Sequence, residues 1–198
     1  MKKNWKMKTL GEVCEKIIGG GTPSKSNPSY WNGSIPWASV KDIKEGKSEL
    51  LATRDFISEE GLKNSSANLI PAGTLIISTR MGLGRIVKTK IDTAINQDLK
   101  AIFPKKEIDS DFLLLCLKNK AQEIIDAGGG TTVSGIRLDY LRSIEIPLPS
   151  LEEQKQIVNI LNEKFTAIDG FKKIIKEQIA DADELKKSYL NEAFAGKL

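Results

Sequence analysis

The last quarter of the chain, Ser150 to Phe194, constrains the fold more than any other stretch. Ile157, Leu161, Phe165, Ile168, Phe171, Ile175, Ile179, Ala182, Leu185 and Tyr189 follow one another in steps of three and four. That spacing marks one narrow face of an α-helix. Leu161, Ile168, Ile175, Ala182 and Tyr189 recur every seven residues, as in a coiled-coil seam. Pro147 and Pro149 bar a helix from starting earlier. Ser150 and Glu153 then read as S-x-x-E, a capping box whose side chains satisfy two otherwise orphaned backbone N–H groups. Gly196 stands where a C-terminal stop belongs.

An unbroken helix from Leu151 to Phe194 would be ~65 Å long at about 1.5 Å per residue. Helices of globular domains run about 8–20 residues. A single long rod with a narrow apolar stripe requires a second long helix, and this chain encodes no other. The stripe therefore predicts a coiled coil with another copy of the chain or with another subunit. The competing expectation is a break at Gly170, giving two shorter helices that fold back on the domain. Glycine costs a helix interior only about 1 kcal/mol against alanine, so one glycine is a weak breaker.

Charge separates this segment from the rest. The last 48 residues hold 8 lysines against 9 acidic residues, which leaves 22 basic against 17 acidic in the first 150. A mildly basic globular part is compatible with nucleic acid and does not establish it. Histidine is absent, which removes the commonest general base and metal ligand and argues against a hydrolase or methyltransferase site in this chain. Cys14 and Cys116 have no metal-ligand spacing and are expected to be reduced, structural thiols. No apolar run approaches the ~18 residues of a membrane helix. The start, Met1-Lys2-Lys3-Asn4-Trp5, has no apolar signal core, so a cytoplasmic protein is expected.

Residues 1–149 read as one β-rich mixed domain, and 150–198 as the long helix; the class is α+β. Strands are predicted at Trp5–Leu10 and Cys14–Ile18, around a turn or single helical turn at Leu10–Val13. A turn-rich loop from Gly19 to Gly33 carries Tyr30 and Trp31. Further strands are predicted at Ile35–Val40, Thr74–Thr79, Ile86–Thr89, Ala94–Gln97, Leu99–Phe103 and Ser143–Ile146, with a glycine hairpin at Arg80–Arg85. Helices are predicted at Ser58–Asn64, at Asp111–Asp126 with Phe112, Leu113, Leu115, Cys116, Ile124 and Ile125 as its apolar set, and near Leu138–Leu141. Gly128-Gly129-Gly130 would end the second of these, and Thr131–Gly135 reads as a polar loop.

Several of these segments together resemble a known family. G-G-G-T-P-S-K-S-N-P-S-Y-W-N-G-S-I-P-W at Gly19–Trp37 resembles the opening of a target-recognition domain from the specificity (S) subunit of type I restriction-modification systems. I-P-L-P-S-L-E-E-Q-K-Q-I-V at Ile146–Val158 looks like that family's join between recognition domain and conserved helix, and A-F-A-G-K-L at Ala193–Leu198 is similar to the end of that helix. L-I-I-S-T-R-M-G-L-G-R and I-N-Q-D-L-K-A-I also fit. Family members usually carry two recognition domains and two such helices in about twice this length, so the chain resembles a half-subunit. The resemblance implies a non-catalytic subunit that works as a homodimer, reads a bipartite inverted-repeat site in double-stranded DNA, and directs modification (methyltransferase) and restriction subunits. S-adenosylmethionine, ATP and magnesium (Mg) would then belong to those partners, with no cofactor or metal here. The alternative is a truncated interaction module that docks on modification subunits without its own sequence-specific site. An enzymatic metal site built from Asp92, Asp98, Asp109 and Asp111 is the weakest reading, since these scatter over loops and caps.

Candidate DNA contacts lie on the polar loops: Thr22, Ser24, Lys25 and Tyr30 on the first, and Arg80 and Arg85 beside the hairpin glycines. Lys41, Lys88, Lys100 and Arg137 suit phosphate. Asn96 and Gln97 suit adenine, whose N6 and N7 match a side-chain amide, although either one also suits a strand cap. Trp31 and Trp37 are expected in the core rather than on DNA.

Overall fold

The computed structural model describes residues 5–129 and 135–197. Packing divides the chain into two compact units, Met1–Lys155 and Gln156–Leu198. In chain order the first unit runs β1 (Lys6–Thr9), α1 (Leu10–Val13), β2 (Cys14–Gly19), a 3-10 turn (Pro28–Trp31), β3 (Ile35–Ala38), β4 (Glu49–Leu50), β5 (Asp55–Ile57) and α2 (Glu59–Lys63). It continues through β6 (Asn68–Ile70), β7 (Leu75–Ser78), β8 (Ile86–Thr89), β9 (Thr93–Ile95), β10 (Leu99–Pro104), α3 (Ser110–Asn119), α4 (Ala121–Gly128), α5 (Leu138–Ser143) and β11 (Glu145–Leu148). The last helix, α6, spans Leu151–Phe194 and begins in this unit.

The strands form a five-stranded sheet in the order β2-β10-β7-β8-β4, a four-stranded sheet in the order β5-β3-β9-β6, and the antiparallel pair β1-β11. Alternation along β7 shows how they stack. Leu75 and Ile77 pack with Leu113, Leu117, Ile124 and Leu141 of the helices, whereas Ile76 packs with Ile70 and Ile95 of the four-stranded sheet. Successive strand side chains point to opposite faces, so β7 is covered on both. Each fully buried aliphatic side chain contributes about 1.5–3 kcal/mol by leaving water. The outer face of the four-stranded sheet carries Trp37, Ile57 and Ala94, covered by Trp31 and Leu62. The two tryptophans meet edge to face, 5.0 Å apart at 85°.

Several expectations need correction. The helix expected over Asp111–Asp126 is two helices. Asp109 caps α3, accepting from the Asp111 and Phe112 N–H groups at 3.0 and 2.9 Å. At Lys120 (φ −90, ψ 2) the backbone N–H is shared between the carbonyls of Cys116 and Leu117, both at 3.1 Å, which tightens and ends the turn. The restarted α4 buries Ile124 in the core and leaves Ile125 40% exposed, so Ile125 is not an apolar-face residue. The strand expected at Ser143–Ile146 lies two residues later and includes Pro147. That is tolerated because β11 is paired on one side only, by β1, and its Pro147 sits opposite Met7. The short strands β4, β5 and β6 and the 3-10 turn were not expected. Thr131–Ser134 of the polar loop, Gly130 and Leu198 lie outside the described residues.

Both ends of α6 are built as their residues predict. The Ser150 N–H donates to the Glu153 carboxylate at 3.2 Å and the Glu153 N–H to the Ser150 hydroxyl at 3.3 Å. At the far end Gly196 takes φ 66, its N–H donates to Ala193, and the Lys197 N–H donates to Glu192 at 2.9 Å. That pair of bonds closes the last carbonyls. Within the first unit, Gln154 is 1% exposed. It donates to the carbonyls of Glu107 and Pro149, each at 3.1 Å, and accepts from the Asp109 N–H at 2.8 Å.

In the second unit the helix runs through Gly170 without a break. Its stripe is bare. Phe165, Ile168, Ile175, Ile179, Leu185 and Tyr189 are about half exposed, and Phe171 is 65% exposed. Ile160, Ile174 and Leu190 widen the apolar edge beyond the residues that the heptad count selects. No helix among the described residues is long and apolar enough to cross a membrane.

Candidate nucleic-acid interface

The loop after β2 is laid directly on β9. The Gly21 N–H donates to the Ile95 carbonyl at 3.0 Å, and a Cβ on Gly20 would fall 1.8 Å from that same oxygen. Only glycine permits that approach. Two indoles hold the loop's shape: Trp37 Nε1 donates to the Gly21 carbonyl at 3.0 Å and Trp31 Nε1 to the Ser24 carbonyl at 3.2 Å. Thr22 is thereby brought to Gln97, hydroxyl to amide oxygen, at 2.5 Å. The result is a cleft of about 810 Å³ in which Thr22, Lys25, Lys41, Asn96 and Gln97 converge. Trp31 and Trp37 line its apolar wall, and Ser39 and Asp55 complete the polar set. Lys41 is presented by a turn in which the Ser39 N–H and hydroxyl both donate to the Asp42 carboxylate, at 2.9 and 3.0 Å.

Arg80 and Lys100 adjoin this cleft through its neighbours. Lys100 Nζ donates to the Gln97 carbonyl at 3.1 Å, and Arg80 lies 3.8 Å from Asp98. Burial holds Lys100 below the usual lysine range; Asp98 opposes that shift and the charge of Arg80 adds to it.

The other candidates lie elsewhere. The Ser24 hydroxyl bonds Ser26 at 2.7 Å. Tyr30 packs over Gly61, and its carbonyl accepts from the Ser58 N–H at 2.9 Å. Arg85 lies in a separate concavity and donates to the Ile43 carbonyl at 3.2 Å. Lys88 is engaged by Asp111, at 2.9 and 3.0 Å to its two oxygens. Arg137 is exposed at the start of α5 without capping it. Asn96 is buried and tied to Asp98 at both ends of its amide, so Gln97 is the accessible one of the two.

Sequence reasoning passed over Asp55, which opens β5 with nothing in its neighbourhood to mark it. It favoured the core over a DNA contact for Trp31 and Trp37, which pack there and also wall the cleft. The four aspartates of the metal reading have separate partners: Asp92 accepts from the Ala72 N–H, Asp98 faces Arg80, Asp109 caps α3 and Asp111 pairs with Lys88. Cys14 and Cys116 are free, and burial pushes both thiols up to about 12.

Residues 2–180 match the family described as the type I restriction modification DNA specificity domain. The chain is 38% identical over 162 residues to the specificity subunit of the Escherichia coli type I restriction enzyme EcoR124I/EcoR124II, covering 78% of this chain and 39% of that subunit. It is 31% identical to the MjaIX specificity subunit of Methanocaldococcus jannaschii, over 86% of this chain and 40% of that one. Among solved structures, the HsdS subunit from Thermoanaerobacter tengcongensis superposes with a TM-score of 0.73 at 26% identity, covering all of this chain and 46% of that one. A chain from a structure on complex assembly and conformational transition of the type I R-M system reaches a TM-score of 0.82 at 26% identity, over 47% of its length. This chain thus spans about two fifths of the curated subunits it matches and just under half of the solved ones. With the order of elements, the loop over β9 and the helix after β11 all accounted for, the chain belongs to the type I restriction modification DNA specificity domain family, whose relatives here are specificity subunits rather than catalytic ones.

Proposed function

We propose that this chain is the DNA-reading subunit of a type I restriction-modification complex and works in the cytoplasm as a homodimer. The observation that carries this reading is the bare apolar stripe of α6, in the same chain as the globular unit. A second copy would cover the stripe with its own α6 and bring a second recognition unit. Two units on an antiparallel helix pair are held at a fixed spacing. The helix is ~65 Å long, and successive major grooves on one face of DNA are about 34 Å apart. The site read by such a dimer has two short specific halves around an unread spacer, and a twofold dimer requires the halves to be inverted repeats.

Within each unit the Trp-walled cleft supports base reading. Gln97 and Asp55 offer hydrogen-bond partners for base edges, and Lys25, Lys41, Arg80 and Lys100 offer cations for the adjoining backbone. Methylation and cleavage then belong to the modification and restriction subunits, with S-adenosylmethionine, ATP and magnesium bound there.

Selection of bound duplexes from a random pool, with modification subunits present, tests this. An inverted repeat with a fixed spacer is expected. A lone half-site or a direct repeat would refute the homodimer. Complex formation with no base preference would mark the chain as a docking module instead.

A further inference from the structure

A second concavity, of about 410 Å³, is bounded by the β7–β8 turn, the Lys44–Lys47 turn and the junction of α3 with α4. Lys44, Lys47, Arg85 and Lys118 line it against one carboxylate, Glu45. The cations come from three distant stretches and are tied together. The Lys47 N–H closes its turn on the Lys44 carbonyl at 3.2 Å. The Arg85 guanidinium is aimed by its bond to the Ile43 carbonyl at 3.2 Å. Lys118 reaches across to donate to the Lys47 carbonyl at 3.2 Å and the Ser48 hydroxyl at 2.7 Å.

Nearby lysines are neutralised at close range: Lys88 by Asp111 at 2.9 Å, Lys90 by Glu49 at 3.0 Å and Lys120 by Glu123 at 2.7 Å. The four pocket cations are not. Among the described residues their one ion pair is Arg85 with Glu45, at 3.9 Å, and the Glu45 side chain is 90% exposed. Lys118 is half-buried, and burial holds it below the usual lysine range with no carboxylate to raise it. Four cations thus line one concavity with a single, exposed carboxylate beside them, an arrangement that favours an anion there.

We propose that this concavity is a phosphate-binding site, separate from the base-reading cleft, which grips the DNA backbone. A guanidinium fork and three ammonium groups suit the paired unesterified oxygens of adjacent backbone phosphates, as both planar and point-charge donors. The proposal rests on the DNA-reading function only for the source of the phosphate, since the same groups would hold a free polyphosphate.

The test compares the full chain with its Lys44→Ala/Lys47→Ala/Lys118→Met variant. The methionine keeps most of the Lys118 stem, and the double variant Lys44→Ala/Lys47→Ala replaces the triple if the latter fails to fold. Duplex affinity is measured across a salt series with modification subunits present, and thermal protection of the chain is measured with inorganic pyrophosphate. The slope of log affinity against log salt should become shallower by about 2–3 on every duplex, in proportion to the contacts removed, with base preference unchanged. Lys44→Arg/Lys47→Arg should restore the slope, and pyrophosphate should raise the wild-type Tm but not the variant's. An unchanged slope with equal protection of both proteins overturns the site and leaves DNA reading standing. Protection lost in the variant, in a chain that binds no duplex even with modification subunits present, upholds the pocket with a free polyphosphate as ligand and overturns the DNA-reading function.

Discussion

Asn96 and Gln97 have the same amide chemistry and opposite surroundings. Asn96 accepts from the Asp98 N–H at 3.1 Å and donates to the Asp98 carboxylate at 3.2 Å, while Gln97 is exposed and faces Thr22. Asn96→Ala strips a buried turn of its partner and should cost about 1–3 kcal/mol in denaturant melts. Gln97→Ala should change stability by less than about 0.5 kcal/mol and relax base preference at one position of the selected site. The reverse outcome would make Asn96 the reader. Nothing in the tetrad Asn96–Leu99 announces this split, because it depends on how Asp98 folds back beneath Arg80. Local charge at the start of the chain is more legible. Glu12, four residues after Lys8 and three after Thr9, is held down to about 2, first by the Lys8 ammonium and then by the Thr9 N–H. A carboxyl depressed on folding stabilises the fold above its ordinary value of 4.5, and that contribution is lost as pH falls towards about 2. The wild type should therefore lose its stability advantage over Glu12→Gln across that window, with the Glu12 carboxyl shift in NMR reporting a midpoint near the lower end.

Elements whose signals are local were readable, and those whose signals are distant were not. The box at Ser150 and Glu153 and the stop at Gly196 involve residues three to five apart, so the sequence displays both partners. By contrast β4 has two residues and exists because it pairs in parallel with β8, nearly forty positions later. The division of α3 from α4 follows from docking Ile124 in the core, which periodicity alone does not reveal. Gly170 is an instructive middle case: it sits mid-helix with nothing within 4 Å of an added Cβ. Gly170→Ala should stabilise the helix by about 1 kcal/mol, raising the midpoint of the 222 nm melt. A lower midpoint would mean that the helix needs its weak point.

For the whole molecule, the α+β class and the long C-terminal helix were legible, whereas the stacking of two sheets under a helical layer was not, since short strands of ordinary composition do not disclose their neighbours. The proposed homodimer is testable directly. Ile168→Asp/Ile175→Asp sets charge into the seam and should halve the mass seen by sedimentation, while leaving the melt of the globular unit unchanged. Wild-type chain of monomer mass at all concentrations would contradict the homodimer. The pair β1-β11 has one last consequence. Lys6 lies opposite Leu148, so the first strand of the globular unit and the strand that leads out of it run side by side. A unit whose entrance and exit share one edge behaves as a cassette: it can be cut from one chain and spliced into another, or strung in tandem, with its interior undisturbed.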